Sequence, residues 1–117
     1  NTGVFCTHWP RAIKSFYMKK CENNENCESF DLLIPYGIGE LIGASMREDN
    51  LEQLLINMKE NNIDEESFGF YIDLRKYGSC PHGGFGLGFE RLLMLMTGMK
   101  NIRDVLPFPV TYKNCLY

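Results

Sequence analysis

Three charged residues stand inside stretches that otherwise read as β-sheet: Asp31 in "SFDLLIP", Glu40 in "GIGELIG" and Arg47 in "ASMRED". Acids are depleted from strands and are costly to bury alone, so two of them on neighbouring strands call for a cation, a hydrogen-bond partner or water. Magnesium meets that need, because two carboxylates plus phosphate oxygens match its preference for hard ligands in a partly hydrated shell. A solvated sheet face meets it as well, and patterning leaves both readings open. Parity adds a constraint. Glu40 and Arg47 are seven apart, a spacing that sends them to opposite faces of a regular strand. If both serve one site a bulge intervenes, and Gly43 is the natural place for it.

The stretch "HGGFGLGFER", residues 82–91, raises a second question. Gly84, Gly86 and Gly88 share one parity and Phe85, Leu87 and Phe89 the other, so one sheet face is apolar and its reverse has no side chains. The apolar face is expected on a core. The bare face is either a floor for a flat or extended ligand or a glycine-rich bulge or turn. Arg91 follows at the start of an apolar helix, where the positive end of the dipole gives a cation no help. A planar guanidinium there can stack on a purine or meet a phosphate. Glu90 suits the first helical turn. His82, after Pro81, reads as a hydrogen-bonded turn residue or a ligand contact. Cys80 and His82 lack a second pair at ligand spacing, which argues against a metal centre between them.

The elements that must hold these residues are legible in outline. A chain of 117 residues carries one modest core. With 44% apolar residues it describes a globular protein, and a net charge of −3 gives no overall basic field to attract nucleic acid. Five cysteines without a CxxC pair argue against a disulfide scaffold or a zinc knuckle and for a reducing, intracellular setting. No stretch approaches membrane-spanning length, and "NTGVFCTHWPR" lacks the order of a signal peptide, so the chain reads as a piece of a longer protein.

"GVFCTHWP" predicts a short strand, "RAIKSFYMKK" a turn and an extended piece, and "KKCENNENCES" a surface loop. "SFDLLIP" and "GIGELIGASMRE" predict two strands separated by the turn Pro35, Tyr36, Gly37. Leu51, Leu54, Leu55 and Met58 then fall at helical spacing behind Asp49 or Asn50 as cap. A second helix is expected from about Asp64 to Gly78, and "ERLLMLMTGM" predicts a helix apolar nearly all round, hence buried, and capped by Gly98. The tail "LPFPVTYKNCLY" reads as an irregular strap. Strands before and between helices, without regular βαβ alternation, predict an α+β fold with an antiparallel sheet and helices on one side.

"GGFGLGFERLLM" resembles motif 3 of the class II aminoacyl-tRNA synthetases: alternating glycines, a Glu-Arg pair and an apolar helix. "SFDLLIP", "GIGELIGASMRED", "FYIDLRKYGSCPHGGFGLGFERL" and "NIRDVLPFP" together look like the carboxyl-terminal half of the asparaginyl-tRNA synthetases, in the same order, and "WPRAIKSFYMKK" extends the likeness upstream. The aspartyl-tRNA synthetases share much of this, but usually carry an arginine-glycine-glutamate run where this chain has "PYGIGELIG". The resemblance implies that residues 1–117 are part of a class II catalytic domain, an antiparallel sheet flanked by helices, with motif 3 at about 82–99. Motif 1, motif 2 and the anticodon-binding barrel of the family lie upstream and have no counterpart here, so the segment alone is expected to be inactive.

Carried onto matching positions, the resemblance makes Glu40 and Asp31 holders of Mg2+ on the ATP phosphates. Arg47 would grip the amino-acid side chain above a floor of Gly84 and Gly86. Gly88, Phe89, Glu90 and Arg91 would bind ATP, with Arg91 and Glu40 catalytic. Gly43 stands where aspartyl relatives carry a serine. The implied activity is activation of L-asparagine by ATP and its transfer to tRNA(Asn), by a cytoplasmic homodimer with no membrane contact. The alternatives are an aspartyl enzyme, a paralogue that makes asparagine without tRNA, and a non-catalytic nucleotide-binding or interaction module.

Overall fold

The computed structural model describes residues 2–115. Strands β1 (Val4–Thr7), β2 (Ser29–Ile34), β3 (Gly39–Met46) and β4 (Gly83–Leu87) form one antiparallel sheet in the order β1-β2-β3-β4. Helices α1 (Leu51–Glu60) and α2 (Gly69–Lys76) fill the connection from β3 to β4, and α3 (Phe89–Thr97) follows β4 directly. This is the expected α+β architecture. The β2–β3 hairpin turns through Tyr36 and Gly37, both at positive φ, a conformation glycine adopts without the clash a Cβ brings.

Local signals set the helix ends. The Asn50 side chain, not that of Asp49, accepts from Gln53 N at 2.9 Å and caps α1. Asp64 accepts from the backbone of Glu66 and Ser67, but it caps a 3-10 turn at Glu66–Phe68, and α2 begins only at Gly69. The expected single helix is therefore two pieces, with Phe68 off helical geometry between them. Gly98, at φ 73°, closes α3 by donating to Met94 O. A 3-10 turn at Ile102–Val105 precedes the tail, whose last two residues lie outside the described part.

The core is small. Leu54 and Met58 of α1 are fully buried, as is Cys27 beside β2, and Ile38 and Leu41 join them. Phe16 meets Phe68 at 5.3 Å and Tyr71 at 6.4 Å between centroids, while Asn57 Nδ2 donates to Phe16 O, so residues 16–17 pack between α1 and the start of α2. One expectation fails here. Phe85 is 71% exposed, Phe89 61% and Met96 75%, and α3 has no buried residue. Helices α1 and α2 pack on each other and α3 packs on the turn at Ile102–Val105, so the described residues leave that apolar face largely exposed. Apolar periodicity shows that a face needs cover without showing which part of a protein provides it.

Candidate active site

The parity conflict between Glu40 and Arg47 is resolved by a bulge. Leu32 pairs with Ile42 and Leu33 with Glu40, so Leu41 is the extra residue of β3. Its position corrects the expectation of Gly43. Gly43 pairs regularly with Asp31 on one side and Gly86 on the other, whereas Leu41 is buried and its carbonyl accepts from Gly88 N at 2.9 Å. Past the bulge, Gly43, Ser45 and Arg47 share the face of Glu40, and the register adds Asp31, Gly84 and Gly86.

On that face the glycines make room for their neighbours' charged groups. A Cβ at Gly43 would stand 2.7 Å from Glu40 Oε1 and 3.6 Å from Asp31 Oδ1, so both carboxylates converge over the bare Cα. A Cβ at Gly84 would stand 3.2 Å from Arg47 Nη2. Above Gly86 the space is open, with no atom within 4 Å of where a Cβ would be. Of the two readings of the glycine strand, the bulge or turn is ruled out: β4 is a regular strand in register with β3.

Asp31 is 7% exposed and receives Lys14 Nζ at 2.9 Å, and the same ammonium lies 4.8 Å from the centre of the Trp9 ring. Arg47, half-buried, donates to Ser45 Oγ and lies over the Tyr17 ring at 4.9 Å. It lines a shallow pocket of about 220 Å³ with Phe16, Tyr17, Phe68 and Tyr71. Arg91 is exposed, reaches back across Gly88 and donates to the main-chain carbonyl of Glu40. Gly88 is the N-cap of α3, and Phe89 and Glu90 are its first two residues, with Glu90 complementing the dipole. Phe89 is thus in a helix, not the last residue of a strand.

Lys14 and Tyr17 were not foreseen, because nothing in "RAIKSFYMKK" marks which side chain folds back onto a strand 17 residues away. Arg75 falls inside the helix expected between Asp64 and Gly78 and was not singled out, yet it is 6% exposed and bonded to three segments. His82 Nδ1 sits 2.8 Å from Cys80 O, and its Nε2 faces Arg75, so both ring nitrogens are engaged within the protein. Away from this face, burial raises the thiol pKa of Cys27, and the Lys19 ammonium holds the Asp49 carboxyl below its usual range.

The family model for class II tRNA synthetases (D, K and N) matches residues 1–112. The chain belongs to that family. Within these class II synthetases it is 55% identical over 108 residues to an asparagine–tRNA ligase of Clostridium tetani, an alignment covering 92% of this chain and 23% of that one. The fold is similar to that of Entamoeba histolytica asparaginyl-tRNA synthetase in complex with asparaginyl-adenylate, at 43% identity and a TM-score of 0.92, over 97% of this chain and 26% of that one. The aspartyl-tRNA synthetase of the same organism matches less well: 30% identity and a TM-score of 0.84, over 92% and 22%. The chain spans about a quarter of the length of the relatives it matches.

Proposed function

We propose that this chain is the carboxyl-terminal part of the catalytic domain of an asparagine–tRNA ligase, an enzyme that joins asparagine to ATP as an adenylate and passes it to tRNA(Asn). The observation that carries the reading is the placement of Glu40, Asp31 and Arg47 on one sheet face beside the bare Gly43, Gly84 and Gly86, with Arg91 at its edge. Preference for asparagine over aspartate rests on the higher identity to the asparaginyl than to the aspartyl synthetase of one organism.

The asparagine carboxylate is ionised at neutral pH and attacks the α-phosphorus of ATP without a general base, expelling pyrophosphate. The protein's task is in-line positioning and stabilisation of charge as it builds at phosphorus. Arg47 would hold the amide oxygen of the side chain, with the pocket beside Tyr17 and Tyr71 receiving it. Gly84 and Gly86 let the adenylate lie against the backbone. Arg91 would stack on the adenine or meet the terminal phosphate, and Gly88, Phe89 and Glu90 complete that segment. The exposed Glu40 carboxylate and Asp31 Oδ1, whose companion Oδ2 is held by Lys14, are hard oxygen donors that would suit Mg2+ together with phosphate. The ion would screen the phosphate charge there.

The same reading places dimerisation, the α-phosphate clamp and most tRNA contacts in parts of a longer, cytoplasmic enzyme outside this segment. The test is amino-acid-dependent exchange of pyrophosphate into ATP by the full-length enzyme. Asparagine supports exchange under this reading; exchange with aspartate alone, or none at all, overturns it.

A further inference from the structure

The structure assigns Arg75 the part of a positioning residue that fixes Arg47, an inference that rests on the role just proposed for Arg47. Arg75 lies on α2, is nearly sealed from solvent, and pairs with no carboxylate among the side-chain bonds of the described residues. A buried cation without a counter-ion is held by the geometry of its donors. Its Nε donates to Glu48 O at 3.0 Å, the carbonyl immediately after Arg47. Its Nη2 donates to Tyr71 Oη at 2.9 Å and lies 3.4 Å from His82 Nε2, while the guanidinium carbon stands 4.0 Å from the centre of the Tyr71 ring.

Each of these partners borders Arg47. The Arg47 amide donates to His82 O at 2.9 Å, which splices the end of β3 to the segment leading into β4. Tyr71 shares the small pocket that Arg47 lines. Since His82 Nδ1 faces the Cys80 carbonyl, an acceptor only, it carries the proton, and Nε2 is left to accept from Arg75. One planar fork thus holds the carbonyl after Arg47, the ring whose own carbonyl receives the Arg47 amide, and one wall of the pocket. An ammonium on a flexible stem cannot span those directions at once.

The experiment is a double-mutant cycle in the full-length enzyme with Arg47→Ala, Arg75→Ala and the pair, reading kcat and the KM of each substrate by pyrophosphate exchange. Arg75→Ala is expected to raise the KM for asparagine at least roughly ten-fold while that for ATP changes by less than about two-fold. Added to Arg47→Ala it is expected to do nothing further. Should Arg75→Ala fail to fold, Arg75→Lys and Tyr71→Phe carry the same comparison, with Arg75→Lys as deficient in asparagine KM as the alanine is expected to be. Equal losses for both substrates, or full additivity with Arg47→Ala, would make Arg75 a purely structural residue and overturn the assignment. If Arg47→Ala alone leaves the asparagine KM unchanged, the role of Arg47 falls instead.

Discussion

The guanidinium of Arg91, the third residue of α3, donates to the main-chain carbonyl of Glu40, 51 residues earlier on β3. Two residues read separately from the sequence as functional are thereby fastened together across the edge of the sheet, through backbone on one side and side chain on the other. The Glu40 carboxylate stays available over Gly43.

Arg91→Ala and Glu40→Ala are each expected to cripple pyrophosphate exchange, by about 10²–10³ in kcat, the usual loss when a group stabilising developing charge is removed. Near-normal exchange in either variant would take that residue off the proposed site.

Gly43→Ala places a methyl group where Glu40 Oε1 now rests, 2.7 Å away, and the carboxylate has to move. Because Glu40 is a flexible, exposed side chain the fold survives. The Mg2+ concentration giving half-maximal exchange is expected to rise about ten-fold, as it does when the groups that orient a metal ligand are disturbed. An unchanged magnesium titration would separate Glu40 from the ion.

Gly86→Val offers the reverse situation. A Cβ here meets no atom within 4 Å beyond its chain neighbours, and a β-branched residue suits a strand, so the melting temperature is expected to hold or rise. Substrate affinity is expected to collapse, since the valine occupies the floor itself. A calorimetric scan beside an asparagine titration checks both halves, and intact binding would place the ligand elsewhere.

The pair Lys19 Nζ and Asp49 Oδ1, 2.7 Å apart, predicts a pH dependence of stability. The hydrogen bond lowers the Asp49 carboxyl pKa and raises that of the Lys19 ammonium. A lowered acid stabilises the fold above its unfolded pKa near 4 and loses this as pH falls through the folded value. A raised lysine stabilises below about 10.4 and loses this as pH rises through its folded value. Both side chains are partly exposed, so the contribution is below about 1 kcal/mol. Asp49→Asn is expected to lower the melting temperature slightly at pH 7 and by less at pH 3; an equal drop at both would refute the ionic origin.

Much of the site was legible because strand parity is a local rule: the alternation from Gly84 to Leu87, and the need for a bulge between Glu40 and Arg47, follow from counting. The bulge's location was not, because Leu41 looks like any strand residue and takes the extra position through burial and through its carbonyl's bond to Gly88. Lys14 escaped notice for a related reason. Its partner Asp31 is brought to it by the pairing of β1 with β2, which no spacing encodes. The helix α3 shows the opposite limit: its boundaries and Gly98 cap were plain, whereas its expected burial is not met among the described residues.

The extra residue at Leu41 acts as a phase shift in β3, and everything upstream of it is out of step with everything downstream. Drawing Leu41 into regular pairing would leave every proposed ligand-handling side chain in the sequence, yet unbroken alternation over seven positions would swing Glu40 through the plane of the sheet, away from Asp31 and Arg47. On the proposed reading a fault in the backbone between two charges is itself part of the ligand-handling machinery, and a change that flattened it is expected to cost as much as losing the acid.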